Sequence, residues 1–344
     1  MKNKVFGLDI GVTSVKVVAL HREGKGLFYD ASMSYPSPSK GMLSESPVDQ
    51  EEMAQTIRKV VLDAKIEAVS ANVALPDNQV FTKVVEMPVL SDKELSSAIY
   101  WEAEQYIPAS LDTMTLDWKI LRRQPEAQTE PKMQVLLVAA QNAVVGKYQN
   151  VLSMAGFTIN AVETEILSVI RGVLLSGSTQ TVFIINVGAL STSIAIVQEG
   201  IIIFTYAIPL GGIAMDRSIA TDFGFTPAQA EEYRKIYGIS DKNLGGKIGK
   251  AVEPVLSSIL SEVKKAISFY QDKHKNDTPL TQVLLSGASA SLPGIDLYFA
   301  QNTGIETVIA NPWKLLGISN VPPEVMSNGP EYAIAVGLAM KEYE

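Results

Sequence analysis

The segment Gly7-Leu-Asp-Ile-Gly-Val-Thr-Ser-Val-Lys16 sets an acid, a turn glycine, two hydroxyls and a lysine side by side. Gly11 lets the backbone approach a ligand closely. Successive N–H groups through Val12, Thr13 and Ser14 form a nest suited to a phosphate. The Thr13 and Ser14 hydroxyls add donors, and Lys16 supplies a counter-charge. Asp9 stands where a carboxylate would hold a metal-bound water, and Mg²⁺ commonly keeps several waters. An ordinary hairpin with a polar turn has the same outline. The pattern returns about half a chain later as Asn186-Val-Gly-Ala-Leu-Ser191. Laying Gly11 on Gly188 puts Asp9 on Asn186, Ser14 on Ser191 and Lys16 on Ser193. Two such turns facing each other would clamp a polyphosphate. Asn186, however, carries no negative charge for Mg²⁺ and accepts no proton from an attacking water.

Three further stretches carry candidate binding groups. Pro209-Leu-Gly-Gly-Ile-Ala-Met215 places Gly211 and Gly212 ahead of a helix expected over 216–224. A helix N-terminus favours phosphate, although a plain strand-to-helix connection looks alike. Ala230-Glu-Glu-Tyr-Arg-Lys235 offers Glu231/Arg234 and Glu232/Lys235 as i,i+3 pairs on one helix. They read as a solvated face or as a clamp on ribose and base. Val283-Leu-Leu-Ser-Gly-Ala-Ser-Ala-Ser-Leu-Pro-Gly294 breaks a strand into a loop where Gly287, Ala288 and Ser289 leave room for a flat ligand.

The elements that must position these groups alternate between strands and helices. Residues 5–10 and 15–20, and again 182–187 and 193–197, are short β-branched runs that read as two hairpins. A repeat at half the chain length implies a duplicated domain. Asp49 and Glu52 have capping-box spacing before Met53, Ile57, Val60, Val61 and Ala64. Ser91 and Glu94 repeat that spacing before a helix carrying Leu95, Ala98, Ile99, Ala103, Tyr106 and Ile107, which Pro108 stops. A helix from Asn142 buries Val144, Val145, Tyr148, Val151, Leu152 and Ala155 and closes at Gly156. Val255, Leu256, Ile259, Leu260, Val263 and Ile267 mark a long helix. The last helix, at 332–340, is apolar almost all round and predicts a buried, close-packed element. Residues 35–47, 122–131 and 238–249 read as exposed loops. The class is α/β with mixed sheets.

Composition bounds the function. The 344 residues exceed what one core usually organises and predict two domains. Cysteine is absent, which excludes disulfide and Cys-ligated metal frameworks. His21 and His274 are too few for a multi-histidine metal site. A net charge of −8 is unlike a nucleic-acid binder. Lys2 and Lys4 open no secretory signal, because Asp9 interrupts the apolar run that follows. The uncharged run 172–198 is too polar and too β-branched for a spanning helix and reads as buried strands. A cytoplasmic protein without its own membrane span is expected.

The order of the five motifs resembles the actin-like ATPase superfamily, and Asn328-Gly-Pro-Glu-Tyr-Ala-Ile-Ala-Val-Gly-Leu-Ala339 fits its closing helix. A narrower resemblance, to the PilM family of type IV pilus assembly proteins, rests on four stretches. They are Ala74-Leu-Pro-Asp77, Glu86-Met-Pro-Val-Leu-Ser-Asp-Lys-Glu-Leu95, Tyr100-Trp-Glu-Ala-Glu-Gln-Tyr-Ile-Pro108 and Leu116-Asp-Trp-Lys-Ile-Leu121, continued by Val135-Leu-Leu-Val-Ala-Ala140 and Ala155-Gly-Phe157. The resemblance implies an actin-like fold of two duplicated halves, 1–177 and 178–344, around a nucleotide cleft. It implies an FtsA-like inserted subdomain at about 82–161, a small one at about 213–278, and a final helix packing back on the first half.

It further implies ATP and Mg²⁺ as ligands. Asp9, Gly11, Val12, Thr13, Ser14 and Lys16 would meet phosphate and metal from one side. Asn186, Gly188 and Ser191 would meet them from the other, with Gly211 and Gly212 nearby. Glu231 and Arg234, or the register Glu232 and Lys235, would contact the nucleoside, and Gly287, Ala288 and Ser289 would back the adenine. Arg234 stands where Lys is usual, and Asn186 where Asp is usual, so hydrolysis is expected to be weak or absent. The implied partner is the N-terminal cytoplasmic peptide of PilN, in a groove between the first core subdomain and the insertion. Other pilus motor components and self-association stay open. The alternatives are an FtsA-like membrane tether, disfavoured because Lys341-Glu-Tyr-Glu344 directly follows the last helix, and a sugar or acid kinase.

Overall fold

The computed structural model describes residues 5–123, 131–175, 177–239, 246–273 and 279–343. Lys2, Lys4, Ser176, His274 and parts of the loops expected at 122–131 and 238–249 lie outside these residues. Strand β1 (Val5–Ile10) is buried along its whole length, as its β-branched, two-sided apolar sequence requires. It pairs antiparallel with β2 (Ser14–Glu23), which pairs with β3 (Gly26–Pro36). Helix α1 (Pro47–Asp63) crosses over to β4 (Ser70–Leu75), parallel to β1. After an excursion the chain adds α3 (Asn142–Ala155), then β8 (Thr158–Thr164) parallel to β4, then α4 (Glu165–Val173). The first sheet therefore runs β3-β2-β1-β4-β8.

The excursion comprises β5 (Val80–Pro88), α2 (Asp92–Glu104), β6 (Met114–Arg123) and β7 (Lys132–Gln141). These strands form a separate sheet ordered β5-β7-β6. Leu95, Ile99 and Ala103 of α2 cover it with Val85, Val135 and Leu137. Where an insertion at about 82–161 was expected, its separate sheet begins at Val80 and ends at Gln141. Both α3 and β8 belong to the first sheet's layer, α3 through Tyr148, Val151 and Leu152 in its core.

The second half repeats the plan. Strands β9 (Thr181–Val187), β10 (Thr192–Gln198) and β11 (Ile201–Ile208) form the meander. Three helices follow: α5 (Gly212–Phe223), α6 (Pro227–Tyr237) and α7 (Lys247–Lys273). Strand β12 (Leu280–Ser286) runs parallel to β9, and after α8 (Ile295–Thr303) β13 (Glu306–Ile309) runs parallel to β12. The order β11-β10-β9-β12-β13 matches that of the first sheet. Short helices α9 (Pro312–Leu315) and α10 (Pro323–Ser327) lead to α11 (Ala333–Met340). Helix α11 packs backbone to backbone between β1 and α4. A Cβ on Gly7 would stand 2.2 Å from the Ala335 carbonyl oxygen, and one on Gly337 1.8 Å from that of Ser168.

Several local expectations shift for identifiable reasons. Helix α1 is capped by Ser46 with Pro47 at its first position, so Asp49 lies inside the first turn and accepts from Ser44 Oγ at 2.5 Å. Asp49 and Glu52 thus form no capping box. Ser91 and Glu94 do form theirs. Helix α2 ends at Glu104, the residue whose carbonyl the Pro108 ring would strike, and Tyr106 and Ile107 follow it. Gly156 closes α3 in the left-handed region at φ 87°. Helix α5 starts at Gly212, four residues before the expected Asp216. Tyr35 and Pro36 finish β3, and Pro47 already belongs to α1. The uncharged run opens in the last turn of α4 before entering β9 and β10, both fully buried. Among the described residues no helix is long and apolar enough to cross a membrane.

Candidate functional site

The two hairpin turns converge on one cleft. In the first, Gly11 N–H donates to the Ser14 carbonyl at 3.0 Å; in the second, Gly188 N–H donates to that of Ser191 at 2.9 Å. Asp9 faces Lys16 across the first ladder, and Asn186 faces Ser193 across the second. Lys16 Nζ lies 3.9 Å from Asp9 Oδ2 and donates to Ser14 Oγ at 2.5 Å. Burial lifts the Asp9 carboxyl above its ordinary range, and the Lys16 charge opposes that rise. Asn186 accepts from Ser286 Oγ at 3.1 Å. Gly287, at φ 91°, sits so close to β9 that a Cβ would stand 2.6 Å from the Val187 carbonyl oxygen.

Asp9, Gly11, Val12, Thr13, Ser14, Lys16, Asn186, Gly188, Ser191, Gly287 and Ala288 line one cavity. An adjoining cavity of about 370 Å³ shares Thr13, Ser14, Ala189 and Ala288 with it and is lined by Gly212, Glu231, Arg234, Lys235 and Ser289. The structure thus gathers the residues singled out in the sequence around two joined spaces, apart from Gly211 and Glu232, which line neither. The donor set of the first space fits a polyphosphate with a divalent ion: Lys16 and Lys40 as cations, three hydroxyls, and the Asp9 carboxyl. Tyr148 lines it too, and its buried hydroxyl has no hydrogen-bond partner.

Two expected pairings are replaced. Arg234 Nε donates to Asp216 Oδ1 at 2.6 Å, across from α6 to α5, in place of a pair with Glu231. Lys235 pairs with Glu231 at 2.7 Å, one turn away, and not with Glu232. The α5 N-terminus is also not free for phosphate. Gly212 N–H donates to the Gly188 carbonyl and Ile213 N–H to that of Ala189, each at 2.9 Å, so these amides hold the second turn in place. Gly212 contributes space: a Cβ there would stand 2.4 Å from Ser289 Oγ.

Sequence reading missed Glu165 and Asp77. Glu165, the first residue of α4, lines the first cavity. Burial, with the Asp77 and Asp9 charges, raises its carboxyl well above the ordinary range. Asp77 accepts from Ile166 N–H at 3.1 Å, and burial lifts it to about 6 against neighbouring hydroxyls of Ser193 and Thr164. No motif or charge pattern in the sequence marked Glu165 as inward-facing.

A second concavity, of about 680 Å³, lies between the inserted sheet and the first half. Leu136, Val138 and Ala140 of β7 form one wall, and Leu167 and Ile170 of α4 with Leu174 just after it the other. Its rim carries Asp117, Lys119, Glu199 and a network in which Arg171 and Lys341 hold Glu163 at 2.5 and 3.1 Å. Burial raises Glu163, but the Arg171 hydrogen bond and the two cations outweigh it and hold the carboxyl below its usual range. The string Tyr100-Trp-Glu-Ala-Glu-Gln-Tyr-Ile-Pro108 lies on and after α2, with Ala103 and Ile107 buried and Trp101 74 % exposed.

Comparison with known proteins places this arrangement. The profile of the family described as type IV pilus assembly protein PilM matches residues 7–343. The cell division protein FtsA of Streptococcus pneumoniae is 25 % identical over 97 % of this chain and 79 % of its own length. Among solved structures, a chain of a PilM–PilN type IV pilus biogenesis complex superposes over 100 % of both chains with a TM-score of 0.86 and 25 % identity. MreB5 of Spiroplasma citri bound to AMPPNP, at 14 % identity and a TM-score of 0.54, covers 98 % of this chain and 96 % of its own and shares the fold. The fold is actin-like, and this chain belongs to the PilM family of type IV pilus assembly proteins.

Proposed function

We propose that this chain is a nucleotide-responsive adaptor of the type IV pilus inner-membrane platform: it binds Mg-ATP between its hairpins and holds the N-terminal cytoplasmic segment of a PilN-type partner in the groove beside the inserted sheet. The observation that carries the reading is the groove itself, an apolar trough with a charged rim, sized for a short extended peptide. The full-length likeness to a chain from a PilM–PilN complex supports the same partner. Asp9, Lys16 and the two turns would take phosphates and Mg²⁺. Glu231, Arg234, Lys235, Gly287, Ala288 and Ser289 would take the nucleoside. Bound nucleotide supplies charge that both halves grip at once. Turnover is slow in this reading, because Asn186 is uncharged and burial, with the Asp77 and Asp9 charges, raises the Glu165 carboxyl well above its ordinary range. Membrane attachment comes through the partner.

The test is fluorescence anisotropy of a labelled peptide carrying the PilN cytoplasmic N-terminus, titrated with the intact chain. Saturable binding is expected, weakened about tenfold or more by Leu175→Asp, a groove residue that is 57 % exposed and so dispensable for folding. No binding, or binding indifferent to that change, overturns the groove assignment. Binding indifferent to Mg-ATP leaves an adaptor without a nucleotide response.

A further inference from the structure

The cleft and the groove are lined by the same two helices. Glu165 of α4 lines the cleft, while Thr164 just before it, Leu167 and Ile170 within it and Leu174 just after it line the groove. The nine residues of α4 carry the groove wall about 13 Å away from the cleft. Helix α11 repeats this span, with Ile334 at the cleft and Met340 at the groove.

The two helices pack backbone to backbone at two glycines. A Cβ on Gly172 of α4 would meet the Ala333 carbonyl oxygen at 2.4 Å, and one on Gly337 of α11 would meet that of Ser168 at 1.8 Å. Arg171 Nη1 donates to the Gly337 carbonyl at 3.0 Å and ties them again at the groove end. Packed backbones at this separation shift together or not at all. The apolar face of α4 rests on the second half, Val169 and Val173 clustering with Ile184 of β9 and Ala195 of β10.

One buried side chain fastens the cleft end of this pair. Asp77 sits in the turn where the chain leaves β4 for the inserted sheet. Its Oδ1 accepts from Ile166 N–H in the first turn of α4, and the Ser193 hydroxyl of β10 lies beside its carboxyl. Its Oδ2 is buried without a hydrogen-bond partner. Asp77 lines neither cavity, yet its carboxyl meets α4 at Ile166 and lies beside Ser193 of the second hairpin.

We propose that Asp77 is the positioning residue that couples cleft to groove, pinning the α4–α11 pair to the second hairpin so that any change in the spacing of the halves displaces one wall of the groove. This rests on the two-site reading given above. A ligand that draws the hairpins together moves β10 relative to β4. Asp77 passes that displacement to the Ile166 amide, and the helix pair carries it to Ile170, Leu174 and Met340. Coupling of this kind is reciprocal: each ligand changes the affinity of the other by the same factor.

The test measures four affinities on the intact chain, peptide with and without Mg-ATP and Mg-ATP with and without peptide. In the wild type each ligand is expected to change the other's Kd about tenfold. In Asp77→Asn, which keeps the acceptor for Ile166 N–H but removes the charge facing Ser193, both separate affinities stay within about twofold and the coupling factor falls below about threefold. Ser193→Ala provides an independent variant with the same expectation, and hydrogen exchange in the wild type is expected to change at 165–174 and 333–341 on addition of either ligand. Full coupling in both folded variants overturns the proposal, as does a wild type that binds both ligands with no coupling. Absence of peptide binding in the wild type instead overturns the groove reading on which it rests.

Discussion

The two hairpins share a backbone and differ in chemistry. Each closes with a glycine N–H donating to a serine carbonyl at nearly the same distance, and each sits at the same place in its sheet. The first buries an acid against a lysine; the second places an amide and a hydroxyl at those two positions. Their supports differ as well. The first turn is held by Ser37, whose hydroxyl donates to the Gly11 carbonyl at 2.6 Å, whereas the second is held by the amides that open α5. The two turns thus keep one backbone shape. The charge that would drive phosphoryl transfer stayed on one side only, which suits a protein that senses a nucleotide more than one that consumes it.

The comparison is sharpened most by making the hairpins alike. Asn186→Asp restores a carboxylate opposite Asp9, and steady-state phosphate release under saturating Mg-ATP is expected to rise about a hundredfold. An unchanged rate would show that the asymmetry does not limit turnover. Removing the first hairpin's charge has a smaller effect. Lys16→Ala is expected to weaken Mg-ATP binding about tenfold or more, the loss of one charged contact, while Ser193→Ala at the matching position leaves it nearly unchanged. Equal losses at the two sites would contradict the division of labour.

The smallest effect is on stability. Asp77 has its carboxyl raised to about 6 in the folded chain against an ordinary 3.8. The folded state therefore holds this proton more tightly, so the stabilisation is complete below about pH 4 and is lost as pH rises through about 6. The melting temperature of the wild type relative to Asp77→Asn should fall by a few degrees between pH 5 and pH 7. A difference that is flat with pH would mean that burial does not raise this group.

Much of this was legible in the residues. The paired turns, their half-chain offset, the Ser91–Glu94 box and the glycine end of α3 are local signals, and the structure keeps them. What escaped depends on distant partners. The expected insertion at about 82–161 takes in α3 and the start of β8, because β8 is recognised only through its parallel pairing with β4, far back in the chain. Arg234 looked like half of an i,i+3 pair because Asp216, its actual partner, comes from another helix. The Gly211-Gly212 turn looked like a free helix N-terminus because nothing local shows that the second hairpin consumes its amides. Asp77 and Glu165 were given no role, since burial by elements distant in the chain leaves no trace in periodicity.

The most direct test of the central claim is calorimetric titration of the intact chain with Mg-ATP, run in parallel on Lys16→Ala. The account predicts saturable binding of one nucleotide per chain and a weakening of about tenfold or more in the variant. A folded wild type that takes up no nucleotide, or one whose affinity ignores the loss of Lys16, would contradict it.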